Sequence, residues 1–263
     1  MLRVFETQWP TKEPPMSVAL DTAHVPNQVP SSPVGRNPFS IVGGTDANPS
    51  KSPIGDEDLK ALQQVGMKMR FERNETIFND GDEATYCYKV ISGAVRLCKH
   101  MVDGRRQIAD FLLAGDVFGF MQFGTYKFTA EAVGDVVLMC YPQRQVERLS
   151  NTMPKMRQRL LTVLSQRLVG MQDHLVMLGR QTAKERVAGF LLLIAQRSDA
   201  EEGVAFDLPM GRQDIADYLG LTIETVCRVL SELKRAKVIG IPNLNQVVLN
   251  DMAELEDMAE GGE

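Results

Sequence analysis

Hydrophobic and polar positions change their period twice along this chain. Residues 54–67 carry Ile54, Leu59, Leu62 and Val65 at helical spacing, with Asp56 and Glu57 near the start, where acids suit the helix dipole. Over 68–142 the pattern shortens. Runs rich in Val, Ile, Phe and Tyr are broken by Asp80-Gly81-Asp82, Ser92-Gly93, Asp103-Gly104, Gly115-Asp116 and Gly134-Asp135. Strands between turn signals every ~8–12 residues predict a β sandwich or barrel, and about eight of them make a jelly roll.

Beyond Pro142 the period lengthens again. Leu161, Leu164, Leu168, Met171, Leu175 and Leu178 follow at spacings of 3, 4, 3, 4 and 3. A seam with that heptad period wants a second helix of its own kind, so it predicts a parallel two-fold dimer interface. Packing on the β region is the alternative, which Leu160 and Val163 on the other side of the helix could serve instead. A further helix over 183–197 is apolar nearly all round (Val187, Phe190, Leu191, Leu192, Leu193, Ile194), which predicts burial in a small C-terminal domain.

Residues 212–231, RQDIADYLGLTIETVCRVLS, satisfy the steric demands of a helix-turn-helix. Ala216 lets the two helices approach, Gly220 makes the tight turn, and Ile215, Leu219, Leu221, Val226 and Val229 form the inward set. Thr222 is placed to cap the second helix. Outward then come Thr222, Ile223, Glu224, Thr225, Cys227 and Arg228. Glu224 and Arg228 are four apart and share a face. Glu accepts from cytosine N4 and Arg bonds guanine O6 and N7, so the pair predicts reading of a G·C base pair; an intrahelical ion pair is the bland alternative and is compatible with it. Basic Lys234, Arg235 and Lys237 follow, then strands over 238–241 and 246–249 around a Pro242-Asn243 turn, which predicts a wing. Arg212, Gln213, Thr222, Thr225 and Lys234 are the expected contacts to the DNA backbone, which supply affinity without sequence information.

Composition first argues against this reading. The chain has 263 residues, enough for two small domains, with 29 basic against 34 acidic groups, net −5. The distribution changes the picture. Residues 1–142 hold 14 bases and 17 acids (−3), 143–250 hold 15 and 11 (+4), and 251–263 hold six acids (−6). Residues 251–263 read as a flexible acidic tail, with a short helix through Met252, Leu255 and Met258 as the alternative. Nine of the 13 prolines lie in 1–53, which predicts a disordered tail there, either plain or serving a partner. Apolar runs are too short for a membrane span, the missing pattern of a charged start followed by an apolar block predicts no signal peptide, and Cys87, Cys98, Cys140 and Cys227 have neither zinc nor disulfide spacing. A cytoplasmic protein with reduced thiols and no membrane partner is expected. Nucleotide-binding glycine loops, P-loops and hydrolase motifs are missing, so no enzyme is expected.

Together these segments resemble the CRP/FNR superfamily of bacterial transcription regulators, across about 55–250. The most specific likeness is Glu224-Thr225-Val226-Cys227-Arg228, similar to the family's recognition motif, and LPMGRQDIADYLGLTIETVCR resembles FixK proteins. The resemblance implies an α+β fold: an N-terminal cyclic-nucleotide-binding-like β jelly roll over 54–149, a dimerisation helix over 150–180, and a C-terminal winged helix-turn-helix over 181–250. It implies a homodimer on double-stranded palindromic DNA of TTGAT type, with Ile223, Glu224 and Arg228 on bases. It also implies a role as an activator acting with RNA polymerase on genes for low-oxygen metabolism or nitrogen fixation.

The same comparison argues for a regulator with no cofactor. A four-cysteine iron–sulfur cluster needs ligands that this chain lacks before Cys87. Where cyclic-AMP binders carry Glu and Arg-Ser, this chain has Phe120 and Phe128-Thr129, and a cyclic phosphate would lose its arginine clamp. Of three histidines, His24, His100 and His174, each reads as a surface residue rather than a haem ligand. The alternative is a nucleotide- or haem-sensing regulator whose roll controls protein–protein contact or DNA binding. Cys227 on the reading helix is a candidate redox brake, or simply a small side chain tolerated beside the groove.

Overall fold

The computed structural model describes residues 65–120 and 124–262. The Pro-rich stretch 1–53, nearly all of the expected 54–67 helix, and His24 lie outside the described residues.

Eight antiparallel strands build the roll: β1 (Met67–Phe71), β2 (Thr76–Phe78), β3 (Tyr86–Ser92), β4 (Val95–His100), β5 (Arg106–Leu112), β6 (Val117–Phe118), β7 (Thr129–Ala132) and β8 (Val136–Pro142). They form two sheets, ordered β1-β8-β3-β6 and β2-β7-β4-β5. Both sheets contribute to one core. Phe71, Tyr88, Val90 and Leu138 come from the first, and Phe78, Val95, Leu112 and Ala130 from the second. Phe78 stacks on Tyr126 with ring centroids 3.7 Å apart. The β3–β4 turn needs its glycine: Gly93 has φ +85°, and a Cβ there would lie 2.3 Å from the Asp135 carbonyl oxygen.

The chain then turns helical as expected, but in two pieces: α1 (Gln143–Thr152) and α2 (Pro154–Arg180). The long helix therefore begins at Pro154 rather than at 150. Proline disfavours helical backbone in the residue before it, and Met153 is extended at ψ 91°. Along α2, Leu161, Leu164, Leu168, Met171 and Leu175 stand 45–70% exposed, a continuous apolar face. Leu178 corrects the seam. It is half-buried against the C-terminal core, its Cδ2 close under Gly220, so the free stripe ends at Leu175.

The C-terminal domain contains α3 (Ala183–Arg197), β9 (Ala205–Asp207), α4 (Arg212–Leu219), α5 (Ile223–Arg235), β10 (Ile239–Asn243), β11 (Gln246–Leu249) and α6 (Met252–Glu260). A full capping box starts α3: Thr182 accepts from the Glu185 N–H while Glu185 accepts from the Thr182 N–H. Arg186 from α3 donates to the carbonyls of Leu178 and Leu219, satisfying orphan acceptors at the ends of α2 and α4.

Three features depart from the sequence reading. The wing has three strands, β10-β11-β9. Its tip is Leu244-Asn245, because Asn243 still pairs with Gln246 and its side chain accepts from the Asn245 N–H. Pro242 thus sits in an edge strand, where a missing N–H costs no ladder bond. Third, residues 252–260 are helical instead of a flexible tail. Asp251 caps α6 at the Glu254 N–H, and Leu255, Met258 and Ala259 are buried against the rest of the domain.

The second sheet of the roll is buried on its outer face too. Cys98, Ile108 and Phe111 share a core with Phe190 and Tyr218 of the C-terminal domain. Phe111 lies 5.3 Å from the Tyr218 ring, and Arg197 donates to the Phe111 carbonyl at 2.9 Å while pairing with Asp116.

Candidate nucleic-acid interface

The interface begins with the turn between α4 and α5. Gly220 adopts left-handed backbone, φ 62° and ψ 37°, and its N–H bonds the Ala216 carbonyl, closing α4 so that the chain can reverse. Ala216 is fully buried between the helices, with Ile215 and Leu219 beside it. The Thr222 hydroxyl accepts from the Thr225 N–H at 3.3 Å and starts α5. Val226, Val229, Leu230 and Leu233 are buried along one side of α5. That leaves Glu224, Cys227, Arg228, Ser231 and Lys234 exposed on the opposite side.

The predicted side chains fall into three groups. Glu224, Arg228, Thr222, Gln213 and Lys234 are exposed together on or beside α5. Ile223 and Thr225 are half-buried, Ile223 packing on the core of the domain, so only part of each is presented outward. Arg212, at the start of α4, is half-buried, and one of its terminal nitrogens is enclosed without a hydrogen-bond partner among the described residues. Burial holds its pKa below the usual arginine value, with the nearby Cys227 acting in the opposite sense.

Electrostatics place Glu224 at the helix start. Its own backbone N–H, then the Thr222 hydroxyl, hold the carboxylate below the usual range. Both partners belong to the N-terminal end of α5, and Arg228 follows four residues later, about one turn along the helix. Cys227 is exposed between them and is a free thiol.

Behind this surface, α4 is tied to the roll by charges that sequence reasoning did not find. Asp214 is 8% exposed. Arg96 of β4 reaches both its oxygens at 3.3 Å, bonds Glu131 of β7 at 2.8 Å and donates to Asn74 at 3.1 Å. Arg106 of β5 pairs with Asp214 and, at 2.7 Å, with Asp217. Gln213 donates to Asp217 from the exposed side, and Gln107 to the Tyr218 carbonyl. No local pattern announces partners 118 residues apart. His174 is a related correction. It is half-buried rather than on the surface, within hydrogen-bond distance of the Tyr218 carbonyl at 3.0 Å, and burial keeps its pKa below the usual value.

Comparison with known proteins agrees with this geometry. The cyclic nucleotide-binding domain family matches residues 68–153, and the Crp-like helix-turn-helix domain family matches 185–258. The nitrogen fixation regulation protein FixK of Azorhizobium caulinodans is 39% identical over 243 residues, 91% of this chain and 96% of that protein. The transcriptional activator protein FnrL of Cereibacter sphaeroides is 33% identical over 209 residues, 77% of this chain and 84% of the relative. Among solved structures, FixK2 from Bradyrhizobium japonicum superposes with a TM-score of 0.71 at 38% identity, covering 74% of this chain and 97% of that one.

Proposed function

The chain belongs to the CRP/FNR superfamily of transcription regulators, where it is FixK-like, and from that premise we propose that it activates low-oxygen or nitrogen-fixation genes as a homodimer on a TTGAT-type inverted repeat. The observation that carries the reading is α5. It is capped at Thr222, buried along Val226, Val229, Leu230 and Leu233, and open along Glu224 and Arg228. In a two-fold dimer two such helices would enter successive major grooves ~34–36 Å apart. Ile223, Glu224 and Arg228 are the proposed base contacts, and Arg212, Gln213, Thr222, Thr225 and Lys234 the backbone contacts. RNA polymerase is the proposed protein partner.

The exposed face of α2 is the proposed dimer interface. Placing a charge at its centre, Leu168→Glu, is expected to convert dimer to monomer in sedimentation velocity. DNA affinity should fall by ~10²–10⁴, the gain that linking two half-site contacts supplies. A Leu168→Glu protein that stays dimeric refutes the assigned seam.

We favour regulation without a nucleotide or haem. The Thr129 hydroxyl accepts the Asp80 N–H at 3.1 Å, Phe128 stands beside it, and Phe120 packs on the cluster of Cys87, Tyr141 and Met156. His174, one of the two histidines among the described residues, is already engaged by Tyr218. Among the described residues, no helix is long and apolar enough to cross a membrane.

Cys227 is the proposed point of redox control. Its oxidation to an acid would add negative charge to the surface that meets phosphates. Peroxide should lower DNA affinity in the parent protein and leave Cys227→Ser unaffected; equal loss in both removes Cys227 from the account.

A further inference from the structure

The outer face of β4 and β7 brings together three donors of different chemistry. Cys98 and His100 are two apart on β4 and share its outer side with Arg96; Glu131 comes from the neighbouring strand, paired across from Arg96. The Cys98 sulfur, a His100 ring nitrogen and a Glu131 carboxylate oxygen all lie within 4.8 Å of one another. Cys98 is fully buried, Glu131 half-buried and His100 exposed, so the group runs from the interior to the surface, with the imidazole outermost. Sequence spacing hid it, because Glu131 arrives from the adjacent strand.

Charge supplies a second observation. The cluster around these donors sets two guanidinium groups, Arg96 and Arg106, against three carboxylates, Glu131, Asp214 and Asp217. It is thus one negative charge in excess, at a site where unbalanced charge is expensive. A bound cation deprotonates a coordinating thiol outright. One divalent ion plus one thiolate would bring the cluster from −1 to zero.

We propose that Cys98, His100 and Glu131 form a binding site for a divalent transition metal of zinc type, at the junction between the roll and α4. Sulfur, imidazole nitrogen and carboxylate oxygen are the zinc donor set, with water in the fourth position. Tetrahedral zinc holds its donors ~3.3–3.7 Å apart, so closure needs about an ångström of side-chain movement. A metal on Glu131 shares that carboxylate with Arg96, whose Nε bonds Glu131 Oε2 at 2.8 Å while its Nη1 reaches Asp214 of α4. Metal binding is thereby coupled to the docking of the helix pair that carries α5.

The test uses the full chain, stripped with a chelator and titrated with Co²⁺ as the probe, then with Zn²⁺ in competition. The expected result is one equivalent bound, with a thiolate-to-cobalt charge-transfer band that Zn²⁺ abolishes. Replacing a group that merely orients a ligand weakens metal ~10–100-fold, so His100→Gln, at an exposed position, should lose at least ~10-fold in affinity. Cys98→Ser should lose the band, and Cys227→Ser should keep it. No band in the parent protein, or unchanged affinity in His100→Gln, overturns the site. Because His100 is exposed, that second arm does not depend on whether Cys98→Ser folds.

Discussion

Asp214→Ala should destabilise the protein by about 1–3 kcal/mol, the usual consequence of leaving buried donors without their acceptor. The reason is what stays behind. The Arg96 side chain is 9% exposed, and with Asp214 gone it keeps only Glu131 and Asn74, while Arg106 keeps Asp217 and the longer 4.0 Å approach to Glu131. Water cannot replace the lost oxygens without opening the seam between β4, β5 and α4, which Phe111 and Tyr218 also fill. Equilibrium unfolding in urea is the measurement, since guanidinium salts would screen the interaction being tested. A change below ~1 kcal/mol would mean that these groups behave as an ordinary solvated surface pair.

The second large effect falls on specificity. Arg228→Ala removes one bidentate guanine contact from each half of a palindrome. At ~1–3 kcal/mol per contact, a dimer should lose ~2–6 kcal/mol on its cognate site. The loss should be confined to sites carrying the G·C pair in each half, and the dependence of affinity on salt should hardly change, because Arg228 is assigned to a base rather than a phosphate. Replacing Lys234 should do the opposite, weakening binding evenly across sequences. If Arg228→Ala weakens all duplexes equally, Arg228 is a backbone contact and the assignment is wrong.

What the sequence revealed, and what it hid, follows the range of the interactions. The helix-turn-helix was legible because its constraints are local: a small residue at Ala216, left-handed backbone at Gly220, a cap at Thr222. The roll was legible from its turns. Strand β9 was not, because Ala205–Asp207 buries only Phe206 and becomes a strand only by pairing with β11. For α6, acidic composition outweighed a signal that was present. Asp251 and Glu254 frame a cap, Gly261 ends the helix at φ 88°, and Leu255 and Met258 mark the buried side.

The charge cluster and the metal donors were beyond reach for a different reason. Arg96, Arg106, Glu131 and Asp214 are ordinary strand and helix residues until two domains are laid together. Their burial also refines the arithmetic of net −5. Asp214 and Asp217 face inward to the roll and contribute little to the field at the reading surface, where residues 222–240 carry four bases and two acids.

The central claim is sequence-specific binding by an unliganded dimer. It is tested most directly by gel shift of the reduced full-length protein on a TTGAT inverted repeat, beside the same duplex with the G·C pair of each half reversed. With no nucleotide added, the intact repeat should give a single shifted species holding two chains per duplex, and the altered repeat none at the same protein concentration. Equal binding to both duplexes, or a shift that appears only when a cyclic nucleotide is supplied, would contradict the account.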